Sequence, residues 1–533
     1  MEQDTAIQAS GNDTMRTETG VRDKTARLIK ALSEGLYERE EVIKLSLLAA
    51  IAGESIFLLG PPGVGKSLIA RRLKHAFRDG KSFEYLMSRF STPDEVFGPI
   101  SIQKLREEDR YERKTDQYLP GANVVFLDEI WKSSPAIQNA LLTILNEKIY
   151  RNGEQEIKVD LHGIIAASNE LPPEGESFEP LWDRFLIRYQ MDNIRESRNF
   201  LRMITDTRDV YNVSAAAGDQ ISHEELREWD QAIDRVEVPD EILDTIQVIR
   251  SKVDEYNTSR KDRASLVLTH DRRWKKIIRL IRTSAFLNDR PKADLMDCFL
   301  IVHCLWNKPG QEEVIREIVG ESIRRHGYSL TTRLSMLKKE TEAFEQEVDT
   351  EIRIRKTITR EMPKPHDETY FELVKDNSQF DGKYIRISDF HKLSRDTFTV
   401  TNFFDEENNL VNRLETKKGL TEHTVLVRYS SAEYSFSLFT MKQEETEVLM
   451  KKPHHLVQQF WDERYEKLHS YIQQQTDRLE AESPEELDHT GTNLFIDRRL
   501  APIVTANHRE VTEALHRVRL QLEQIKYSYD HID

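Results

Sequence analysis

A lysine and a serine close a short glycine-rich stretch, and that combination is suited to binding phosphate. The stretch consists of Gly60, Pro61, Pro62, Gly63, Val64, Gly65, Lys66 and Ser67. Glycines allow a tight turn whose backbone N–H groups converge on phosphate, and the positive end of a following helix adds to the attraction. We therefore expect Lys66 to contact the β- and γ-phosphates of a nucleotide and Ser67 to bind Mg²⁺.

The residues on both sides of this loop predict the elements that must hold it. Residues 56–59 form an apolar run typical of a buried strand, and apolar residues recur after the loop at helical spacing. The recurring residues are Leu68, Ile69, Leu73, Ala76 and Phe77. A glycine-rich structural turn is the alternative, but a strand before the loop and a helix after it favour nucleotide binding.

Two further apolar runs end in polar residues that suit phosphoryl transfer. Residues 124–127 lead into Asp128 and Glu129, and residues 164–168 lead into Asn169. Asp128 is placed to hold Mg²⁺ through water, and Glu129 to polarise a water molecule for attack on the γ-phosphate. The Asn169 amide would orient the same water, and the alternative is an ordinary turn residue at a strand end. Together these residues predict ATP hydrolysis.

The three elements occur in the order found in the AAA+ ATPases, and the resemblance covers residues 20–310. The phosphate loop, the Asp128-Glu129 pair and Asn169 resemble that family's Walker A, Walker B and sensor 1 positions. Within the family, residues 89–98, 118–122 and 181–185 resemble the MoxR group. Arg184 matches that group's arginine finger, which acts on the nucleotide of a neighbouring subunit. The alternative for Arg184 is a surface Asp-Arg pair, worth at most about 1 kcal/mol.

Longer segments resemble one branch of the MoxR group, RavA, the regulatory ATPase variant. They are residues 35–39, 83–87, 128–132 and 271–276. The resemblance implies that Arg272 or Arg273 is the sensor 2 arginine at the start of a lid helix, and Arg273 is the one we favour. The alternative is that both are solvated charges on a basic helix face.

The resemblance also implies a fold and a way of working. The expected fold class is an α/β P-loop AAA+ core with an all-helical lid, followed by a discontinuous three-helix domain that carries a small β-rich module. The expected function is ATP hydrolysis in a hexameric ring that remodels or chaperones a partner protein, together with a separate von Willebrand A domain protein similar to ViaA. The resemblance adds an inducible lysine decarboxylase as a partner of the β-rich module.

Hydrophobic periodicity divides the chain into segments. Apolar residues at 3-4 spacing predict long helices before residue 352, after residue 457 and after residue 511. Period-two alternation between residues 384 and 438 predicts strands. The expected domains are a disordered tail at 1–20, the AAA+ core at 21–195, the lid at 196–326, a helical bundle at 327–365 and 450–533, and the β-rich module at 366–449.

Composition narrows the class of protein. The 533-residue chain has a formal net charge of −16, which argues against a surface that binds nucleic acid directly. Cys298 and Cys304 have a spacing that suits neither a metal knuckle nor a redox pair, so we expect buried thiols in a reducing compartment. The sequence contains no long uninterrupted apolar run, and its start has no apolar signal-peptide core. We expect a cytoplasmic protein that meets the membrane only through a partner.

Three other functions stay open at this point. A nucleic-acid motor or loader shares the ATPase core, and DNA- or RNA-stimulated hydrolysis would favour it. A nucleotide-gated scaffold would not need Glu129 as a water activator. A chelatase motor subunit is a nearer alternative within the same class of ATPases.

Overall fold

The structure of the protein is a computed structural model. It describes residues 20–78, 80–173, 178–211, 218–260, 265–374, 383–490 and 492–532. The chain divides into two compact units, Met1–Lys338 with Ser470–Arg519 and Lys339–His469 with Leu520–Asp533. Apart from Gly20, the predicted tail lies outside the described residues. Within those ranges, no helix combines the length and the apolar character that crossing a membrane requires.

A parallel sheet forms the centre of the first unit. The strands of this unit are β1 (Ser55–Leu59), β2 (Ser82–Leu86), β3 (Val124–Asp128), β4 (Ile149–Asn152), β5 (Gln155–Lys158), β6 (Gly163–Ser168) and β7 (Ile187–Gln190). Five of them pair in the order β2-β3-β6-β1-β7, all in parallel, while β4 and β5 form a hairpin. Every residue of β1 and β6 is buried, which explains their unbroken apolar runs, because helices cover both faces of such a sheet.

Helices accompany each strand of the sheet. Up to residue 205 they are α1 (Val21–Ser33), α2 (Glu40–Ala52), α3 (Lys66–Lys74), α4 (Pro93–Phe97), α5 (Ile102–Glu108), α6 (Pro135–Glu147), α7 (Glu179–Arg184) and α8 (Ser197–Thr205). Helix α3 begins directly after Gly65. Helix α6 begins with Pro135 in its first position, where the fixed φ of proline fits and its missing N–H is not needed.

The chain from residue 223 to residue 331 is mainly helical, in the region where we predict the lid at 196–326. Its α-helices are α9 (His223–Asp234), α10 (Asp240–Thr258), α11 (Asp271–Leu287), α12 (Val302–Leu305) and α13 (Gln311–Thr331). Inside it, the buried Arg290 pairs with Asp294 at 2.6 Å and with Asp297 at 2.8 Å. Cys298 and Cys304 are buried free thiols, as predicted.

The remaining elements are long helices and antiparallel strands. The helices are α14 (Leu334–Ile352), α15 (Ile387–Lys392), α16 (His455–Thr490) and α17 (Ala501–Asp530). The strands are β8 (Arg353–Pro363), β9 (Tyr370–Glu372), β10 (Tyr384–Arg386), β11 (Thr399–Phe404), β12 (Leu410–Lys418), β13 (Thr424–Tyr429), β14 (Ala432–Ser437) and β15 (Thr440–Met450).

Three helices pack together in the second unit. The ring of Tyr529 on α17 lies 6.5 Å from that of Phe344 on α14 and 5.2 Å from that of Trp461 on α16. Trp461 Nε1 also donates to Glu347 Oε1 at 2.9 Å. The three apolar stripes in the sequence are therefore the faces along which these helices meet.

The β-rich module is longer than expected. Strands β8 and β15 pair from Arg353 with Met450 to Pro363 with Thr440, and the other strands form an antiparallel sheet in the order β14-β13-β12-β11-β10-β9. The expected helical boundary at residue 365 needs correction, because residues 353–363 are a strand. Their β-branched residues, Ile354, Thr357, Ile358 and Thr359, favour extended backbone. The predicted architecture of α/β core, helical lid, C-terminal helices and β-rich module is confirmed.

Candidate functional site

The glycine-rich loop joins the end of β1 to the start of α3. Gly63 and Gly65 have φ of +85° and +89°, a left-handed conformation that glycine adopts without strain. At Gly60, an added Cβ would lie 2.3 Å from the Met191 carbonyl oxygen, so only glycine fits between the loop and the end of β7. The turn aims backbone N–H groups and the positive end of α3 at one point, which is an anion-binding geometry.

Lys66 connects this loop to the predicted catalytic residues. Its Nζ donates to the carbonyl oxygens of Gly60 at 2.6 Å and Pro61 at 3.1 Å, and to Asn169 Oδ1 at 2.5 Å. The amide of Asn169 in turn donates to Glu129 Oε1 at 2.6 Å. The structure therefore brings together Lys66, Asn169 and Glu129, because the carboxyl ends of parallel strands meet at one edge of the sheet.

The acidic pair follows β3 in an unusual backbone conformation. Glu129 has a φ of +52°, a left-handed conformation that costs free energy for a residue with a Cβ. Its backbone N–H donates to Asp128 Oδ1 at 3.0 Å, and its Oε2 lies 3.3 Å from Lys132 Nζ. The turn thus aims the two neighbouring carboxylates into the same site.

The electrostatics of this edge suit Mg²⁺. Burial raises the pKa of Asp128, and the nearby carboxylates of Glu129 and Glu84 raise it further, against Lys66 and the Glu129 N–H. Burial lowers the pKa of Lys66, although Asp128 and Glu129 oppose that shift. Clustered carboxylates gain from a nearby cation. The carboxylate of Asp128 and the hydroxyl of Ser67 are hard oxygen donors, the class that Mg²⁺ prefers, so the residues present fit this ion.

Arg39 is a positioning residue that sequence reasoning missed. Its guanidinium donates to the carbonyl oxygens of Val64 at 3.0 Å, Asp192 at 2.7 Å and Glu38 at 2.8 Å. It therefore ties the phosphate loop to the segment after β7. Residues 35–39 stand out as a motif in the sequence, but the distant carbonyl partners of Arg39 are set only by the fold.

Arg184 lies at the end of α7 within a group of positive charges. Its Nη1 is 3.4 Å from Asp183 Oδ2, and 22% of its side chain is exposed. Burial lowers the pKa of Arg184, and the charges of Arg272 and Arg273 lower it further, against the attraction of Asp183. The arginine predicted from α7 and the two predicted from α11 are therefore close neighbours.

Arg273 lies in a different environment from the one we predicted. It is 2% exposed, and its guanidinium donates to the carbonyl oxygens of Leu186, Cys304, Asp183 and Phe185 at 2.6–3.2 Å. It also contacts Asp183 Oδ1 at 3.3 Å. These acceptors engage both terminal nitrogens, so Arg273 ties the lid to the core and does not point at the phosphate loop.

Arg272 occupies the exposed side of the same helix turn. Its Nη2 donates to Asn146 Oδ1, and Arg272 is exposed. Of the two arginines left open, Arg273 is bound to backbone carbonyls and Arg272 is exposed, so the sensor 2 role that we predicted for Arg273 fits Arg272 better. Adjacent residues of a helix point about 100° apart, which is why one is buried and the other is not.

Comparisons with known proteins match both the core and the lid. A family model described as the MoxR domain in the MoxR-vWA-beta-propeller ternary systems matches residues 23–231, and a model of the AAA lid domain matches residues 241–319. An uncharacterized protein of Methanocaldococcus jannaschii is 32% identical over 318 residues, which are 60% of this chain and 79% of that protein. A second uncharacterized protein of the same organism is 35% identical over 308 residues, 58% of this chain and 78% of that protein.

Solved structures are also similar. Among them, a protein of Cytophaga hutchinsonii matches with a TM-score of 0.45 and 19% identity, over 57% of this chain and 94% of that chain.

Proposed function

This chain belongs to the MoxR group of AAA+ ATPases and hydrolyses ATP, and from that premise we propose that it is a Mg²⁺-dependent, ring-forming motor that remodels a partner protein. The observation that carries the proposal is the connected set of Lys66, Asn169 and Glu129 beside Asp128. A protein that used nucleotide only as a structural ligand would not need a carboxylate held by an amide at this position.

Each residue has a distinct role in hydrolysis. The loop N–H groups and Lys66 offset the charge of the phosphates. Ser67 and Asp128 would hold Mg²⁺, which supplies further charge neutralisation when it is bound. Glu129 accepts a proton from the attacking water, while the amide of Asn169 orients the water and the Glu129 carboxylate. The water oxygen bonds to the γ-phosphorus as the bond to the bridging oxygen breaks, giving ADP and phosphate.

The ring is supported by the surroundings of Arg184. An arginine finger must reach an anion outside its own subunit, and Arg184 lies partly exposed beside the positive charges of Arg272 and Arg273. The anionic γ-phosphate of ATP bound to a neighbouring subunit would relieve this repulsion. Arg184 would in turn stabilise the charge of that phosphate in the transition state. We propose that the ring contains six subunits, as the resemblance to the family implies.

The partner is proposed from the family match and the β-rich module. The matching MoxR model is described as part of systems that also contain a vWA protein, so a separate von Willebrand A domain protein is the co-worker we propose. The module formed by β8–β15 offers a recognition surface of its own. The lysine decarboxylase and the RavA branch stay predictions from the sequence.

Trapping the motor tests this function. Glu129→Gln should hold ATP without turning it over, so that rings and bound partners accumulate, while Lys66→Ala, which binds ATP poorly, is the matched control. We expect sedimentation velocity to show an ATP-dependent ring for Glu129→Gln, and co-purification to enrich a vWA protein over the control. A monomer at all ATP concentrations, or hydrolysis that depends on DNA or RNA, would contradict the proposal.

A further inference from the structure

A group of possible metal ligands lies at the end of β6 remote from the nucleotide. Asp160 and His162 precede β6, and His223 is the first residue of α9. One ligand atom from each of the three residues lies within 4.8 Å of the others. The His223 Nδ1 and Asp160 Oδ2 atoms are 3.4 Å apart, and the two imidazole rings are 6.0 Å apart.

We propose that Asp160, His162 and His223 bind a divalent transition metal of the zinc type. Strand β6 separates this site from the nucleotide, because His162 precedes its first residue and Asn169 follows its last. Six residues of strand span roughly 20 Å, so the two sites are distinct. Neither the ATPase family nor the proposed motor function requires this metal.

The donor set selects the metal. Imidazole nitrogens bind Zn²⁺, Co²⁺ and Ni²⁺ well, whereas Mg²⁺ takes oxygen ligands and keeps its waters. Bonds of about 2.0–2.1 Å in a tetrahedron place ligand atoms about 3.4 Å apart, which the Asp160–His223 pair already meets. His223 is 43% exposed and Asp160 is 60% exposed, so both side chains can rotate to close the remaining distance. The fourth position is left to water.

The backbone around the ligands is held from several sides. Ile221 N–H donates to the Ala76 carbonyl oxygen at 2.8 Å, and its own carbonyl oxygen accepts from Arg78 N–H at 2.9 Å, which fixes the segment before His223. Ser222 and Glu225 form a capping box at the start of α9. Little backbone movement is needed for His223 to bind metal.

Asn123 holds the other two ligands. Its Nδ2 donates to the Asp160 carbonyl oxygen at 2.9 Å and to Asp160 Oδ2 at 3.1 Å, and its carbonyl oxygen accepts from His162 N–H at 2.8 Å. The ring of Phe77 packs 5.1 Å from that of His162. The bond from Asn123 Nδ2 orients the Asp160 carboxylate, and a hydrogen bond that orients a ligand raises metal affinity; the bond to the His162 backbone N–H fixes the main chain at that ligand.

The three ligands come from two separate segments of the chain, Asp160 and His162 from the loop before β6 and His223 from the start of α9. Bound metal would join α9 to the loop that enters β6, and so restrain α9 at a point far from the phosphate loop.

Metal titration of the full chain tests the site. We expect calorimetry in Mg²⁺-containing buffer to show one Zn²⁺ site, and Co²⁺ to give the intense visible absorption of a tetrahedral complex. His223→Ala, His162→Ala and Asp160→Asn should each weaken Zn²⁺ binding by about 10-fold or more. Because His223 is exposed, His223→Ala should keep its circular dichroism and ATP hydrolysis, which separates loss of the site from loss of the fold.

A second histidine pair provides the matched control. His454 and His455 are exposed neighbours in the second unit, with rings 6.3 Å apart, and are a plausible place for adventitious metal. The double variant His454→Ala/His455→Ala should bind Zn²⁺ as the wild type does. Unchanged binding in His162→Ala and His223→Ala, or loss of binding in the His454/His455 variant, would overturn the proposal.

Discussion

The phosphate-loop edge and the arginine group around Asp183 balance charge in different ways. At the first, Lys66 faces the carboxylates of Asp128 and Glu129 and is bound by neutral oxygens of its own subunit. At the second, Asp183 lies beside the positive charges of Arg184, Arg273 and the buried Arg188 of β7, and Arg272 adds its charge beside Arg184. The first region carries the groups for binding nucleotide within one subunit, whereas the second carries excess positive charge that suits an anion from another molecule.

Substitutions at the phosphate-loop edge should have the largest effects on ATP binding and hydrolysis. Lys66→Ala should lower ATP affinity by about 100-fold, since a buried cation no longer offsets the phosphates. Glu129→Gln should bind ATP normally and lose measurable turnover, because only the water activator is changed. Calorimetry with ATP and a phosphate-release assay separate the two. Equal losses of affinity in both variants would refute these roles.

Arg184→Ala tests whether the arginine group serves a neighbouring subunit. We expect ATP binding to the isolated subunit to stay nearly intact and hydrolysis to fall by about 10³-fold or more, the usual scale for an arginine finger. Mixing sharpens the test, because a ring that contains Arg184→Ala and Glu129→Gln subunits still pairs an intact finger with an intact active site. If mixed rings form and recover no activity at any ratio, the role in trans is wrong.

Within the arginine group, Arg273 and Arg272 should behave differently. Arg273→Ala removes five contacts and leaves the carbonyl oxygens of the core and the partly exposed Asp183 without their main partner, so the free energy of unfolding should fall by about 3–5 kcal/mol. Arg272→Ala lies on the exposed side of the same turn, so its free energy of unfolding should be within about 0.5 kcal/mol of the wild-type value. This variant should nevertheless hydrolyse ATP more slowly. Urea unfolding of both variants measures this. A stable Arg273→Ala protein that is deficient only in hydrolysis would restore Arg273 as the sensor.

Both regions should be insensitive to removal of the β-rich sheet. A short Gly/Ser turn that replaces residues 364–439 would join Pro363 to Thr440, which are already paired. Basal ATP hydrolysis should stay near the wild-type rate while partner binding is lost, measured by phosphate release and co-purification. Deleting residues 366–449 instead leaves β8 as an unpaired edge, which should aggregate. Loss of hydrolysis in the first variant would place the sheet in the motor itself.

The sequence predicted the nucleotide site residue by residue, but it predicted the C-terminal part of the fold only in outline. The loop at residues 60–67 and the strand ends at Asp128, Glu129 and Asn169 are local patterns, so the sequence located them and the structure brought Lys66, Glu129 and Asn169 together. The start of the β-rich module at residue 353 was missed, because a long amphipathic helix and a charged ribbon strand share similar composition there. The sequence also did not predict that Arg39 supports the phosphate loop, because the carbonyl groups that it contacts are distant in the chain.

By itself, the sequence located the phosphate loop and the polar residues at the strand ends, because each follows an apolar strand and parallel strands present their carboxyl ends at one edge. Tertiary structure alone gave different environments to Arg272 and Arg273, which are identical in type and adjacent in the chain: Arg273 is buried against backbone carbonyls and Arg272 is exposed. It also brought His162 to His223. The physical reason is the same in both cases: the contacts of Arg273 with the carbonyls of Asp183, Phe185 and Leu186, and the contact of His223 with the loop before β6, depend on packing between distant segments that no local pattern records.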